Sequence, residues 1–232
     1  MPLIAENISF LKSQIPSSVR LVAISKTKPV GDILEAYYAG QRNFGENRVQ
    51  EVLQKKDLLP ADIEWHLVGH LQTNKVKHIV SFISMIQSVD SYKLLVAINT
   101  EALKINRVVD CLLQIHIATE ETKSGFSVPD LYENLRSENV LLLRNVRICG
   151  VMGIASFVSD TNQIMKEFAD LKECYRSLKE SYFSSSIYFK EISMGMSGDY
   201  AIALKQGSTM IRVGSLIFGN RKGPFKEETH SI

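Results

Sequence analysis

Eight short apolar runs, separated by segments of helical spacing, constrain what this chain can fold into more than any other feature. They read RLVAIS, QRNFGE, EWHLVG, MIQSVD, VVDCLLQIHIA, VRICGVMGIAS, SIYFKEIS and TMIRVG, the pattern of short strands covered on both faces. Between them lie stripes such as Ile33, Leu34 and Tyr37 before Gly40, or Ile164, Phe168, Leu171, Tyr175 and Leu178, with glycines where helices should stop. Ahead of the first strand, Ile4, Ile8, Leu11 and Ile15 form a helical stripe that Pro16 ends. Strand and helix therefore alternate, and eight such units in 232 residues predict an α/β fold: a single (β/α)8 TIM-type barrel with an extra N-terminal helix. A doubly wound open sheet competes, because periodicity does not show whether a sheet closes. One domain over residues 1–232 is the economical reading, with only RKGPFKEETHSI reading as a polar tail.

Composition excludes several classes of function. Apolar residues make up 45% of the chain, enough for one large core, and the net charge of +2 gives no general field for nucleic acid or an acidic membrane surface. No apolar run is long enough to span a bilayer, and the first sixteen residues lack the layout of a signal peptide. Cys111, Cys149 and Cys174 are odd in number, widely spaced and set among apolar neighbours, as expected of reduced core thiols in a cytoplasmic protein.

In a parallel barrel the chemistry collects where strands end, since there the loops meet around one mouth. Lys26 stands where the first apolar run stops, and an amine partly withdrawn from water at such a place is suited to a Schiff base. After the seventh run comes SMGMSGDYAIALKQG, in which Ser197 reads as an N-cap, Asp199 lies in the first turn and Gly207 closes the helix. After the eighth, Gly214 and Ser215 open another short helix. Two serines and the backbone N–H groups of two helix starts make a phosphate cradle on the loops that hold phosphate in this barrel class. A lysine across the mouth from such a cradle points to a phosphorylated aldehyde, pyridoxal 5′-phosphate (PLP).

Eight ordered blocks carry a resemblance to a known family: AISKTKP, GQRNFGENRVQE, EWHLVGHLQTNK, SVDSYKLL, ETKSGFS, GVMGIASF, SMGMSGDYAIAL and GSTMIRVGSLIFGNR. The sequence resembles the PLP homeostasis protein family, whose fold is similar to the N-terminal barrel of alanine racemase. The resemblance implies that Lys26 forms the internal aldimine, that Ser197, Gly214 and Ser215 contact phosphate, and that Asn47 and Met152 lie around the ring. It also implies that Arg212, in IRVG, faces the pyridine nitrogen. An arginine there can only donate, so the ring nitrogen stays unprotonated and PLP is a weaker electron sink.

Other polar residues say less. His66 and His70, four apart near the third strand's end, read as same-side structural hydrogen-bonding groups, with no metal site implied. Lys123, in ETKSGFS, reads as a second cation facing the mouth or as a solvated loop lysine.

Two functions from different classes follow. The first is a carrier that holds PLP reversibly and takes part in intracellular PLP (vitamin B6) homeostasis without committed catalysis, as a monomer or weak dimer, with PLP-dependent apoenzymes as recipients. The second is a PLP-dependent amino-acid racemase, which needs a base on each face of the substrate carbon. Alanine racemases add a β domain and a tyrosine from across the dimer, and this chain stops soon after FGNRKGPFKEETHSI. They also carry a phosphate-binding tyrosine four residues after the lysine, where Val30 stands here. Both departures favour the carrier.

Overall fold

In a computed structural model that describes residues 3–120, 124–137 and 140–219, all eight predicted runs contain a strand. These are β1 (Arg20–Ile24), β2 (Asn43–Glu46), β3 (Glu64–Leu67), β4 (Met85–Val89), β5 (Val109–Ile115), β6 (Val146–Gly153), β7 (Glu191–Ser193) and β8 (Met210–Val213). They pair in parallel, each with the next, and β8 returns to β1 in the register Arg20↔Met210 to Ala23↔Val213, so the sheet closes. That closure decides between the barrel and the open sheet.

The helices are α1 (Ile4–Gln14), α2 (Val30–Tyr38), α3 (Val49–Lys55), α4 (Tyr92–Leu103), α5 (Val128–Ser137), α6 (Thr161–Ser181), α7 (Tyr200–Lys205) and α8 (Ser215–Phe218), of which α1, α2 and α6 fall on the apolar stripes named above. Alternation along each strand sorts the side chains into two layers. In β1, Leu21 and Ala23 face the helices as part of the large outer core, while Val22 and Ile24 face inward. The inward apolar group is small, with Val68, Met85, Leu112, Cys149, Met152 and Met210 beside them. Three cysteines are buried and unpaired.

The seventh strand is shorter than its run suggests, since SIYFK precedes the paired residues and only Glu191–Ser193 join the sheet. Its register begins where the Lys190 N–H donates to the Cys149 carbonyl, 2.9 Å away. The α1 helix lies across the barrel's closing seam: its Asn7 side chain donates to the Ile217 carbonyl of α8 at 2.9 Å.

Candidate functional site

At the carboxyl ends of the strands a cavity of about 450 Å³ opens, within the usual ~300–1,000 Å³ of small-molecule sites. Its walls come from the ends of six strands: Ile24 at the end of β1 with Lys26 and Lys28 beyond it, Asn47 after β2, Val68 after β3, Ile154 and Phe157 after β6, Met196, Ser197 and Gly198 after β7, and Arg212, Gly214 and Ser215 from β8 onward, with Gly219 closing the rim. Six of the seven predicted cofactor residues therefore share one cavity. Met152 does not line it; it is fully buried in the inward apolar group, and Ile154, two residues on, reaches the wall. Lys123 lies outside the described residues.

The lining has one electrostatic character. Lys26, Lys28 and Arg212 contribute cations, the serines and backbone N–H groups contribute donors, and no described carboxylate faces the space. Lys26 is half-buried, one residue beyond the last fully enclosed position of the β1 end. Lys28 is spoken for: its ammonium donates to the carbonyls of Phe218 at 2.9 Å and Gly219 at 3.1 Å, binding the β1 loop to the end of α8.

Contrary to expectation, the loops after β7 and β8 do not lie across the mouth from Lys26: β8 pairs with β1, so the loop after β8 adjoins the Lys26 loop, and the loops after β7 and β8 are joined to each other. Ser197 does not cap α7, as expected from its place in the sequence; Asp199 holds that position, and its carboxylate accepts from the Met196 N–H. The Ser197 hydroxyl oxygen instead accepts the Gly214 N–H at 3.3 Å, so the β7 loop is tied to the start of α8. Gly214 is the N-cap of α8 and Gly207 follows the end of α7 in the left-handed region, at φ 92°. Elsewhere in the mouth, Gly69 makes a close approach possible. A Cβ there would sit 2.4 Å from the Asn47 carbonyl, so only glycine lets the β3 loop press against the residue that carries Asn47 into the cavity.

Arg212 enters the cavity floor from inside the barrel, only 4% exposed. One guanidinium nitrogen donates to the Ser193 hydroxyl oxygen at 2.7 Å and the other terminal nitrogen to the Gly153 carbonyl at 2.8 Å. Burial lowers its pKa to about 10, which leaves it charged at neutral pH. From Ser193 the bonds run on through the interior. Its hydroxyl donates to Gln87 Oε1 at 2.7 Å, Gln87 Nε2 lies 2.8 Å from His66 Nδ1, and His66 Nε2 lies 3.1 Å from Asn43 Oδ1. The fixed donors set every direction: Gln87 must give its N–H to His66 Nδ1, so His66 carries its proton on Nε2 and donates to Asn43. His66 is thus a neutral link, and burial lowers its pKa to about 3. His70 does not share its side. The strand ends at Leu67, and His70 lies beyond it with Nδ1 2.9 Å from Asp90 Oδ2 at the surface. Sequence reading named Arg212 but missed Ser193 and Gln87, whose partners lie 19 and 106 residues away from Ser193 along the chain.

A closed parallel barrel with a cavity at the strand ends, lined by cations and by no carboxylate among the described residues, is a barrel built to take a small ligand at its mouth. The chain belongs to the alanine racemase N-terminal domain family, which matches residues 2–222, and within it to the pyridoxal phosphate homeostasis proteins. The pyridoxal phosphate homeostasis protein of Synechocystis is 40% identical over 209 residues, covering 89% of this chain and 94% of that one. PipY of Synechococcus elongatus, solved with PLP bound, is 38% identical and superposes with a TM-score of 0.84 over 93% of this chain and 100% of its own. Alanine racemase of Bartonella henselae, 17% identical, superposes with a TM-score of 0.69 over 96% of this chain and 61% of its own, a likeness of fold alone.

Proposed function

We propose that this protein binds PLP at the strand-end cavity, holds it through Lys26, and acts as a carrier in PLP homeostasis rather than as a racemase. The observation that carries this reading is the composition of one cavity wall: a half-buried lysine, a buried arginine and two serine-bearing loops around a space with no described carboxylate. Bound PLP would supply an aldehyde, which condenses reversibly with a primary amine with loss of one water, and a phosphate dianion.

The residues fit both ends of such a ligand. The Ser197 and Ser215 hydroxyls offer donors for the phosphate, the Gly214 N–H could exchange its 3.3 Å bond to Ser197 for one to the phosphate, and Lys28 adds positive charge on the same rim. Arg212 is locked by Ser193 and Gly153; facing the ring nitrogen of a bound PLP it could only donate, which would leave that nitrogen unprotonated. Asn47 lines the wall beside Lys26.

The carrier is favoured over the racemase by what could act as a base. Among the described residues of the lining there is no tyrosine, histidine, cysteine or carboxylate, and the second lysine is engaged with two carbonyls. Lys26 alone could serve one face of a substrate carbon. The names of the 33–40% identical relatives agree with this reading, and so does the PLP-bound state of PipY. PLP-dependent apoenzymes are the natural recipients, and buried unpaired thiols suit a reducing cytoplasm.

Titration of the full chain with PLP tests the reading. The wild type should develop a visible absorption band, and Lys26→Ala should lose the band while keeping weaker binding of pyridoxamine phosphate, which lacks the aldehyde. A Lys26→Ala protein with an undiminished band would overturn the assignment. Interconversion of L- and D-alanine by the loaded wild type at ~1 per second or faster would restore the racemase.

A further inference from the structure

We infer that Glu46, Lys55 and Glu51 form a charged clamp that aims Lys26 by fixing the residue on each side of it. The inference rests on the reading of Lys26 as the point of covalent attachment and adds the residues that position it.

Ser25 is held twice. Its hydroxyl donates to Glu46 Oε1 at 2.7 Å, and its carbonyl accepts from Lys55 Nζ at 3.0 Å. The same ammonium donates to Glu46 Oε1 at 2.7 Å and reaches Glu51 Oε2 at 3.4 Å. Glu51 Oε2 in turn accepts the Thr27 N–H at 2.7 Å. Lys26 therefore sits between two residues whose backbone is pinned to one ion cluster.

Thr27 has particular need of support. Its φ of 63° is left-handed, a conformation that a β-branched residue holds only where its surroundings impose it. The Glu51 bond to its N–H is one such constraint. Glu46 is fully buried and Lys55 is 9% exposed, and a buried ion pair of this kind is poor evidence of net stability, since apolar residues of like volume do as well. What the charges supply is geometry. Glu46 also precedes Asn47 directly, so one carboxylate ties the end of β1 to the end of β2.

None of the three lines the cavity. Their effect on a ligand is therefore indirect, and a loss in the rate of attachment at Lys26 without a loss in noncovalent affinity separates the clamp from a general structural role. Lys55→Met removes one partner; the double variant Glu46→Gln with Lys55→Met leaves no unpaired buried charge if the single variant folds poorly. In the full chain, appearance of the visible band after mixing with PLP should be about tenfold to a hundredfold slower, the scale of a small misplacement of a reacting group. Affinity for pyridoxamine phosphate should be unchanged, and Lys55→Arg should restore much of the rate. In the ligand-free protein the Thr27 amide should exchange its hydrogen faster. A wild-type rate in the double variant, or equal losses in rate and in pyridoxamine phosphate affinity, would overturn the clamp. If the wild type itself gives no visible band, the attachment reading fails; Thr27 exchange then decides the clamp alone, and unchanged protection would sink it.

Discussion

Arg212 shows how one side chain can be made both charged and immobile inside a barrel. Its two terminal nitrogens are committed to Ser193 and Gly153, and Ser193 passes its own hydrogen to Gln87. Ser193→Ala removes an acceptor from Arg212 and a donor from Gln87, both buried, and should cost about 1–3 kcal/mol of stability. With Arg212 less firmly held, PLP affinity should fall as well. Chemical denaturation with PLP titration checks both; stability and affinity equal to wild type would show that the interior bonds do not govern Arg212. Arg212 was legible because its block is distinctive. Ser193 and Gln87 were not, because nothing in a strand's own sequence says which side chain meets it across the barrel.

At the level of elements, the cradle depends on helices that are not part of it. With four residues, α8 is far too short to persist alone, so tertiary contacts must hold it. Asn7 of α1 and Lys28 of the β1 loop together supply donors to the carbonyls of Ile217, Phe218 and Gly219 at its end. Asn7 is outside the cavity, which makes it the cleaner test. Loss of one hydrogen bond of about 1 kcal/mol in Asn7→Ala should weaken PLP binding roughly fivefold without moving the visible band. Unaltered affinity in a spectral titration would mean that α8 is held without α1. The extra N-terminal helix was plain from its stripe and from Pro16, but its role was not, since its partner is 210 residues away. Ser197 carries the same lesson: as a helix-start serine it reads as a cap, yet the hydrogen it accepts comes from Gly214 on the neighbouring loop.

For the whole molecule, the buried and neutral His66 has a consequence for acid stability. Folded His66 resists protonation down to about pH 3 because it is buried, whereas the unfolded chain takes up that proton near pH 6.5. Unfolding in this range therefore binds a proton, so the stability His66 contributes is complete above pH 6.5 and is lost as pH falls toward 3. A glutamine can accept from Gln87 and donate to Asn43 without titrating, so His66→Gln should flatten the profile. Between pH 6.5 and 5 the wild type should lose roughly 1.5 kcal/mol more than the variant; parallel urea denaturation curves would contradict this. The eight alternating units of the barrel were readable from the runs and the stripes between them, because burial on both faces writes itself into composition. Its closure was not, since the β1 to β8 pairing is a long-range fact.

The central claim is that Lys26, which shares one cavity with the loops after β7 and β8, is where PLP is held. Borohydride reduction of the PLP-loaded wild-type chain, followed by peptide mass mapping, tests it most directly. The phosphopyridoxyl group should be found on the peptide containing Lys26, at close to one per chain. Its recovery principally on another lysine, Lys28 or Lys123 included, would contradict the account.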